Sequence, residues 1–161
     1  MGFFRRTEKE QPVKELKAMV SGRVFPLTEV ADPVFSSKSL GDGIAIRPCE
    51  EVVTAPADGE ISVVAETKHA VGMVLKNGAE LLLHIGLDTV SLEGKGFQML
   101  VKQGKKVKQG DPLLRFDKAW IEAQGHATDC ILVVTNTEEF PDLQMISGME
   151  AVQKETVICT F

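Results

Sequence analysis

The 161-residue chain has no tyrosine, one tryptophan and three cysteines. Aromatic residues make up only 6% of it, too few for the ring platforms on which single-stranded nucleic acids stack. Cys49, Cys130 and Cys159 are an odd, scattered set with no CxxC spacing, so free thiols in a reducing compartment are expected rather than a disulfide framework. No run approaches the roughly 18 apolar residues of a membrane-spanning helix. The opening residues also lack the apolar segment of about 7–15 residues that a secretory leader carries. MGFFRRTEKE reads as a frayed polar tail with at most peripheral membrane contact, and a myristoylation signal would need Ser or Thr where Arg6 stands. Positive charge is scarce as well. The net charge is -5, and outside KQGKKVKQG (residues 102–110) there is no basic stripe, which argues against a nucleic-acid partner.

What is present is ordinary for a soluble globular protein: 43% hydrophobic and 25% charged residues. The length suits one domain with a real core, expected over residues 18–161 after a flexible tail at 1–17. Short apolar runs recur at 19–27, 43–47, 60–65, 70–76, 81–85, 113–116, 131–135 and 157–160, divided by Gly, Pro and Asp. That spacing predicts an all-β fold, an antiparallel sandwich or barrel. One short helix is expected at 118–123, with Asp117 as its N-cap and Gly125 as its stop. Residues 94–97 and 104–110 read as tight connections, and Gly41-Asp42-Gly43 as a turn. A weak internal repeat runs through the chain. VSGRVF (20–25) resembles ADGEIS (57–62), and VKQGDPLLRF (107–116) resembles VQKETVICTF (152–161), as two related halves around one core would require.

Two of the three histidines lie in suggestive places, His69 in ETKHAVG and His84 in GAELLLHIGLDTV. Both stretches read as strands, and Asn77-Gly78 between them is a strong signal for a two-residue hairpin turn. That turn would set His84 opposite Val71 and His69 opposite Gly86, making the imidazoles diagonal neighbours within reach of one another. Thr67, His69, Val71, Leu82 and His84 would share one face. Leu81, Leu83, Ile85 and Val74 would take the other, facing the core. The pairing depends on the turn, because a longer loop shifts the register by one. An imidazole titrates near pH 6.5, so a neutral ring is a nucleophile for phosphoryl groups at neutral pH.

Taken together, GAELLLHIGLDTV, ETKHAVG, VFSSKSLGDGIAIRP, APADGEI and VVTN resemble, in order and separation, the glucose-type IIA component of the bacterial phosphoenolpyruvate-dependent sugar phosphotransferase system. The resemblance runs from about Val20 to the C-terminus. It implies a duplicated antiparallel β-sandwich in the cytoplasm, acting as a phosphotransferase component without a cofactor or metal. His84 would be the phosphorylated nucleophile, His69 the stabiliser of the phosphoryl group and Thr67 the residue that orients His69. Phospho-HPr would donate, and the cysteine of a IIB domain would accept. Asp32, Val34, Phe35, Leu40, Val71, Leu82, Asp88 and Val90 would form an apolar docking face with acidic edges, and Phe35, Leu40, Val71 and Leu82 would keep it dry.

The chain departs from the family's pattern in places. Leu82 and Ala65 stand where many relatives carry an aromatic residue, and GHATDCILVVTN departs from a family pattern that usually carries Pro and Thr before VVTN, leaving His126, Asp129 and Cys130 without a role. Two alternatives remain. A regulatory binding module of the same fold would signal sugar status, to transporters or enzymes, without obligatory transfer. A zinc enzyme would need a third ligand beside the two histidines, either Asp88 or His126. Phosphorylation competence separates the first from a carrier and metal content separates the second.

Overall fold

The computed structural model describes residues 13–161. Residues 1–12 of the expected tail lie outside the described residues. The tail does not extend to residue 17, however. Glu15–Lys17 (β1) is a strand paired with the last one, and Leu16 is fully buried. Apolar burial at this one position draws the segment into the domain.

The remaining strands are β2 (Gly22–Pro26), β3 (Asp42–Pro48), β4 (Val52–Thr54), β5 (Gly59–Val64), β6 (Ala70–Leu75), β7 (Glu80–Ile85), β8 (Phe97–Met99), β9 (Lys106–Val107), β10 (Pro112–Phe116), β11 (Cys130–Val134), β12 (Gln144–Met145), β13 (Glu150–Ala151) and β14 (Val157–Thr160). An eight-stranded sheet runs β13-β2-β3-β11-β7-β6-β5-β9, and two three-stranded sheets run β1-β14-β12 and β4-β10-β8. All pairings are antiparallel, and the architecture is a β-sandwich. The longer strands fall on the apolar runs of the sequence. Those it does not show, such as β8, β9, β12 and β13, are two or three residues long and carry too little pattern to read.

The internal repeat is a structural duplication. Reversing the order of the large sheet exchanges β2 with β5 and β13 with β9, and each three-stranded sheet maps on the other with β14 in the place of β10. Hydrogen bonds repeat too. Lys17 N–H donates to Pro56 O and Thr54 N–H to Met19 O, while Ala18 N–H donates to Thr156 O and Ala55 N–H to Asp111 O. The helix Lys118–Ala123 has Asp117 as N-cap, its carboxylate accepting from Trp120 N–H, and Gly125 comes after it at φ +91°. Gly41 and Gly43 are needed for close approach more than for a turn. Gly43 lies within β3, where a Cβ would run into Leu132 O of the neighbouring strand.

Two apolar clusters flank the large sheet. The main core packs its inner face, including Leu81, Leu83, Ile85, Val71 and Met73, against β1, β4, β8, β10 and β14. A smaller cluster covers part of the outer face. Ile131 and Val133 of β11, Ala45 of β3 and Phe25 of β2 meet Leu27, Val30 and Phe35, which come from the chain between β2 and β3. That connection carries a 3-10 turn, Leu27–Glu29, and a four-residue helix, Pro33–Ser36. Asp32 caps this helix by accepting from Val34 N–H at 3.0 Å, and Pro33 fixes its first turn.

Candidate active site

β6 and β7 form the expected hairpin, but with a different turn. Leu75 N–H donates to Ala79 O and Gly78 N–H to Leu75 O, so residues 76–78 make a three-residue loop. Gly78 takes φ +90° while Asn77 keeps φ negative, and a two-residue type I′ turn needs positive φ at both central positions. Contacts from afar hold this form: Asn77 Nδ2 donates to Val13 O, and Asn136 Nδ2 donates to Gly78 O. The register moves by one. His84 is opposite Ala70, and Val71 is opposite Leu83. A one-residue slip turns a strand over, so Val71, 1% exposed, points into the main core, and Val74, expected inside, is 39% exposed. Val71 therefore belongs neither to the dry rim nor to a docking face.

The two imidazoles meet nonetheless, with ring centroids 4.8 Å apart and planes at 83°. β7 itself keeps the expected faces, with Leu81, Leu83 and Ile85 buried and Leu82 and His84 on the outer side. His69 reaches His84 because it precedes β6 and escapes the strand's alternation. Lys68 before it is in the left-handed region at φ +63°, and His69 O accepts from Ile85 N–H at 2.8 Å. Thr67 Oγ1 lies 2.8 Å from His69 Nδ1. Phe35, only 4% exposed, stacks at a tilt against His84 with centroids 4.9 Å apart. It lies under the His84 ring and is not part of the open rim.

Burial governs the electrostatics. Desolvation, and then the neighbouring His69, lower His84 to about 4, while the Gly86 backbone and the carboxylates of Asp32 and Asp88 act in the opposite sense. Burial also lowers His69, opposed by the Thr67 backbone. Both rings are thus neutral at pH 7. Nδ1 of His84 is buried and meets no hydrogen-bond partner, which leaves Nε2 as the nitrogen a reactant can approach.

The turn after β7 is closely built. Gly86 adopts φ +82°, and a Cβ there would run into Thr89 Cγ2 and lie 3.0 Å from Ala127 O. Buried Thr89 closes the turn by donating Oγ1–H to Ile85 O at 2.6 Å. Asp88, left-handed at φ +56°, and Val90, 56% exposed, come next on the surface. Val34 and Leu40, 50% and 39% exposed, stand on the connection that carries Phe35. Leu82 and Leu87 are partly buried against the smaller cluster. The sequence reading missed Leu87 and Phe97. Phe97 lies 6.4 Å from the His69 ring, brought there by a short strand with no readable pattern. Among the described residues no group of three or more His, Cys, Asp or Glu is placed to hold a metal ion, and no helix is long and apolar enough to cross a membrane. Asp88 and His126, weighed as third ligands, form no such group with the pair, and His126 Nδ1 lies 2.8 Å from Leu87 O.

The chain is similar to known proteins over nearly its whole length. Residues 14–140 match the model of the phosphoenolpyruvate-dependent sugar phosphotransferase system, EIIA 1. The chain belongs to that family. It is 43% identical over 157 residues to the PTS system glucose-specific EIIA component of Bacillus cereus, covering 98% of this chain and 93% of that one. To the component of the same name from Oceanobacillus iheyensis it is 41% identical over 156 residues, 97% of this chain and 94% of the relative. Glucose permease IIA from Mycoplasma capricolum superimposes with a TM-score of 0.78 at 37% identity, over 92% of this chain and 95% of that structure. In this EIIA-family chain, the segments that carried the resemblance converge. ETKHAVG and GAELLLHIGLDTV supply the paired histidines, and the stretch before GDG supplies Phe35 against His84.

Proposed function

We propose that this chain is a phosphohistidine carrier: His84 takes a phosphoryl group from phospho-HPr and passes it to the cysteine of a IIB domain during sugar uptake. The observation that supports this best is the packing of His84 against His69, two neutral rings 4.8 Å apart, with Nδ1 of His84 turned inward and buried. With the proton on the buried Nδ1, the Nε2 lone pair is free to attack. The N–P bond to Nε2 forms as the donor's bond to phosphorus breaks. In the second step the acceptor's thiolate attacks phosphorus, and neutral His84 leaves.

Positioning and charge stabilisation account for most of the catalysis of such a transfer. Thr67 Oγ1–H donates to His69 Nδ1, which keeps the His69 proton on Nε2 and aims it at a phosphoryl oxygen. Phe35 and Leu82 keep water from the phosphorylated ring. Asp32, Val34, Leu40, Leu82, Asp88 and Val90 form the docking face. Its apolar centre and acidic edge suit partners that present arginines around their reactive residue. The carrier works in the cytoplasm and uses no cofactor.

The test is intact-mass analysis after incubation with phosphoenolpyruvate, enzyme I and HPr. The wild type gains one acid-labile phosphoryl group and His84→Ala gains none. His69→Gln gains one but passes it on slowly. A wild type that gains nothing, with the donor active on a control protein, sinks the carrier reading and leaves a regulatory module.

A further inference from the structure

The third histidine has no part in the pair, yet it anchors the turn beside it. Helix Lys118–Ala123 ends at Gln124, and Gly125 at φ +91° turns the chain back. The half-buried His126 ring then comes to lie with Nδ1 2.8 Å from Leu87 O. A carbonyl can only accept, so Nδ1 carries the proton and donates. Two backbone bonds flank this one: Leu87 N–H to Ala127 O at 3.1 Å and Gly86 N–H to Asp129 O at 2.8 Å. Backbone bonds form with any side chain present. The bond to Leu87 O depends on the residue at position 126.

Leu87 leads directly into the exposed part of the site. Leu87 packs against the cluster that contains Phe35, Asp88 influences the charge of His84, and Val90 is exposed. Asp88 sits at φ +56°, in the left-handed region that residues with a Cβ adopt uncommonly. Fixing the Leu87 carbonyl fixes the peptide plane that leads into Asp88.

We propose that His126 is a positioning residue for phosphoryl uptake: by holding the Leu87 carbonyl it sets Asp88 and Val90 where the donor docks. This rests on the carrier reading above. The experiment measures phosphoryl uptake against phospho-HPr concentration for the wild type, His126→Ala and His126→Asn, with amide exchange monitored by NMR. His126→Ala is expected to raise KM on the order of fivefold, the effect of losing one hydrogen bond. It leaves kcat and the hydrolysis of phospho-His84 unchanged. It also speeds exchange of Leu87 N–H but not of Ile85 N–H, which is bonded to His69 O. His126→Asn puts an amide N–H where Nδ1–H was, and restores both KM and protection. An unchanged KM in His126→Ala, or an asparagine variant as poor as the alanine one, overturns the proposal. If the wild type accepts no phosphoryl group the carrier reading fails. Leu87 exchange still reports on the clamp, and unaltered exchange in His126→Ala overturns that too.

Discussion

Acid should destabilise this protein through His84. Burial first, and His69 second, bring that ring from its ordinary 6.5 to about 4. In the unfolded chain it titrates near the ordinary value, so between those two pH values the unfolded state binds a proton that the folded state refuses. Stability is therefore complete above about pH 6.5 and falls as pH drops toward 4. At 1.36 kcal/mol for each pKa unit the loss from this one group reaches about 3 kcal/mol by pH 4, a large fraction of a small domain's stability. Urea denaturation of the wild type and of His84→Gln at several pH values between 7 and 4 isolates the contribution. The wild type loses about 3 kcal/mol more than the variant over that range. An NMR titration of the His84 ring gives the same answer directly, and in His69→Gln its midpoint moves up. A His84 midpoint near 6.5, or equal pH slopes for wild type and His84→Gln, would refute the claim that burial controls this ring.

The geometry sets other outcomes. Val71→Ala costs roughly 2 kcal/mol of stability and leaves KM for phospho-HPr unchanged, while Val90→Ala raises KM and leaves the urea midpoint unmoved. Thr67→Val leaves phosphoryl acceptance intact but slows onward transfer on the order of tenfold, as seen in rapid-quench assays, and Thr67→Ser restores it. Gly86→Ala lowers the melting temperature, since the left-handed backbone alone costs roughly 1–2 kcal/mol and the added methyl meets Thr89 Cγ2. Exposed Cys49 reacts with a thiol reagent at pH 8, whereas Cys130 and Cys159, buried and with their thiol pKa values pushed up, react only after unfolding.

Much of the fold was legible because apolar runs bounded by Gly, Pro and Asp are a local signal. The strands holding residues 43–47, 81–85 and 157–160, the capped helix after Asp117 and the duplicated halves all came from such signals. Short strands were not legible, because pairing partners elsewhere in the chain create them. The histidine pair was reached through a register that the protein does not use. β7 kept its faces and His69 sat ahead of β6, so the slip overturned Val71 and Val74 but left the two rings together. The longer loop, whose consequence for register was recognisable in advance, was chosen by Val13 and Asn136, which a local reading of Asn77-Gly78 does not include.

By itself the sequence determined the chemistry available here: which side chains are nucleophilic, which segments alternate as strands, and the family pattern around His69 and His84. Only the tertiary structure decided what state those side chains are in. His84 is neutral and one-sided because Phe35, some fifty positions earlier in the chain, lies beneath it and His69 lies beside it. Desolvation depends on every atom packed around a group, and sequence order does not say which atoms those are.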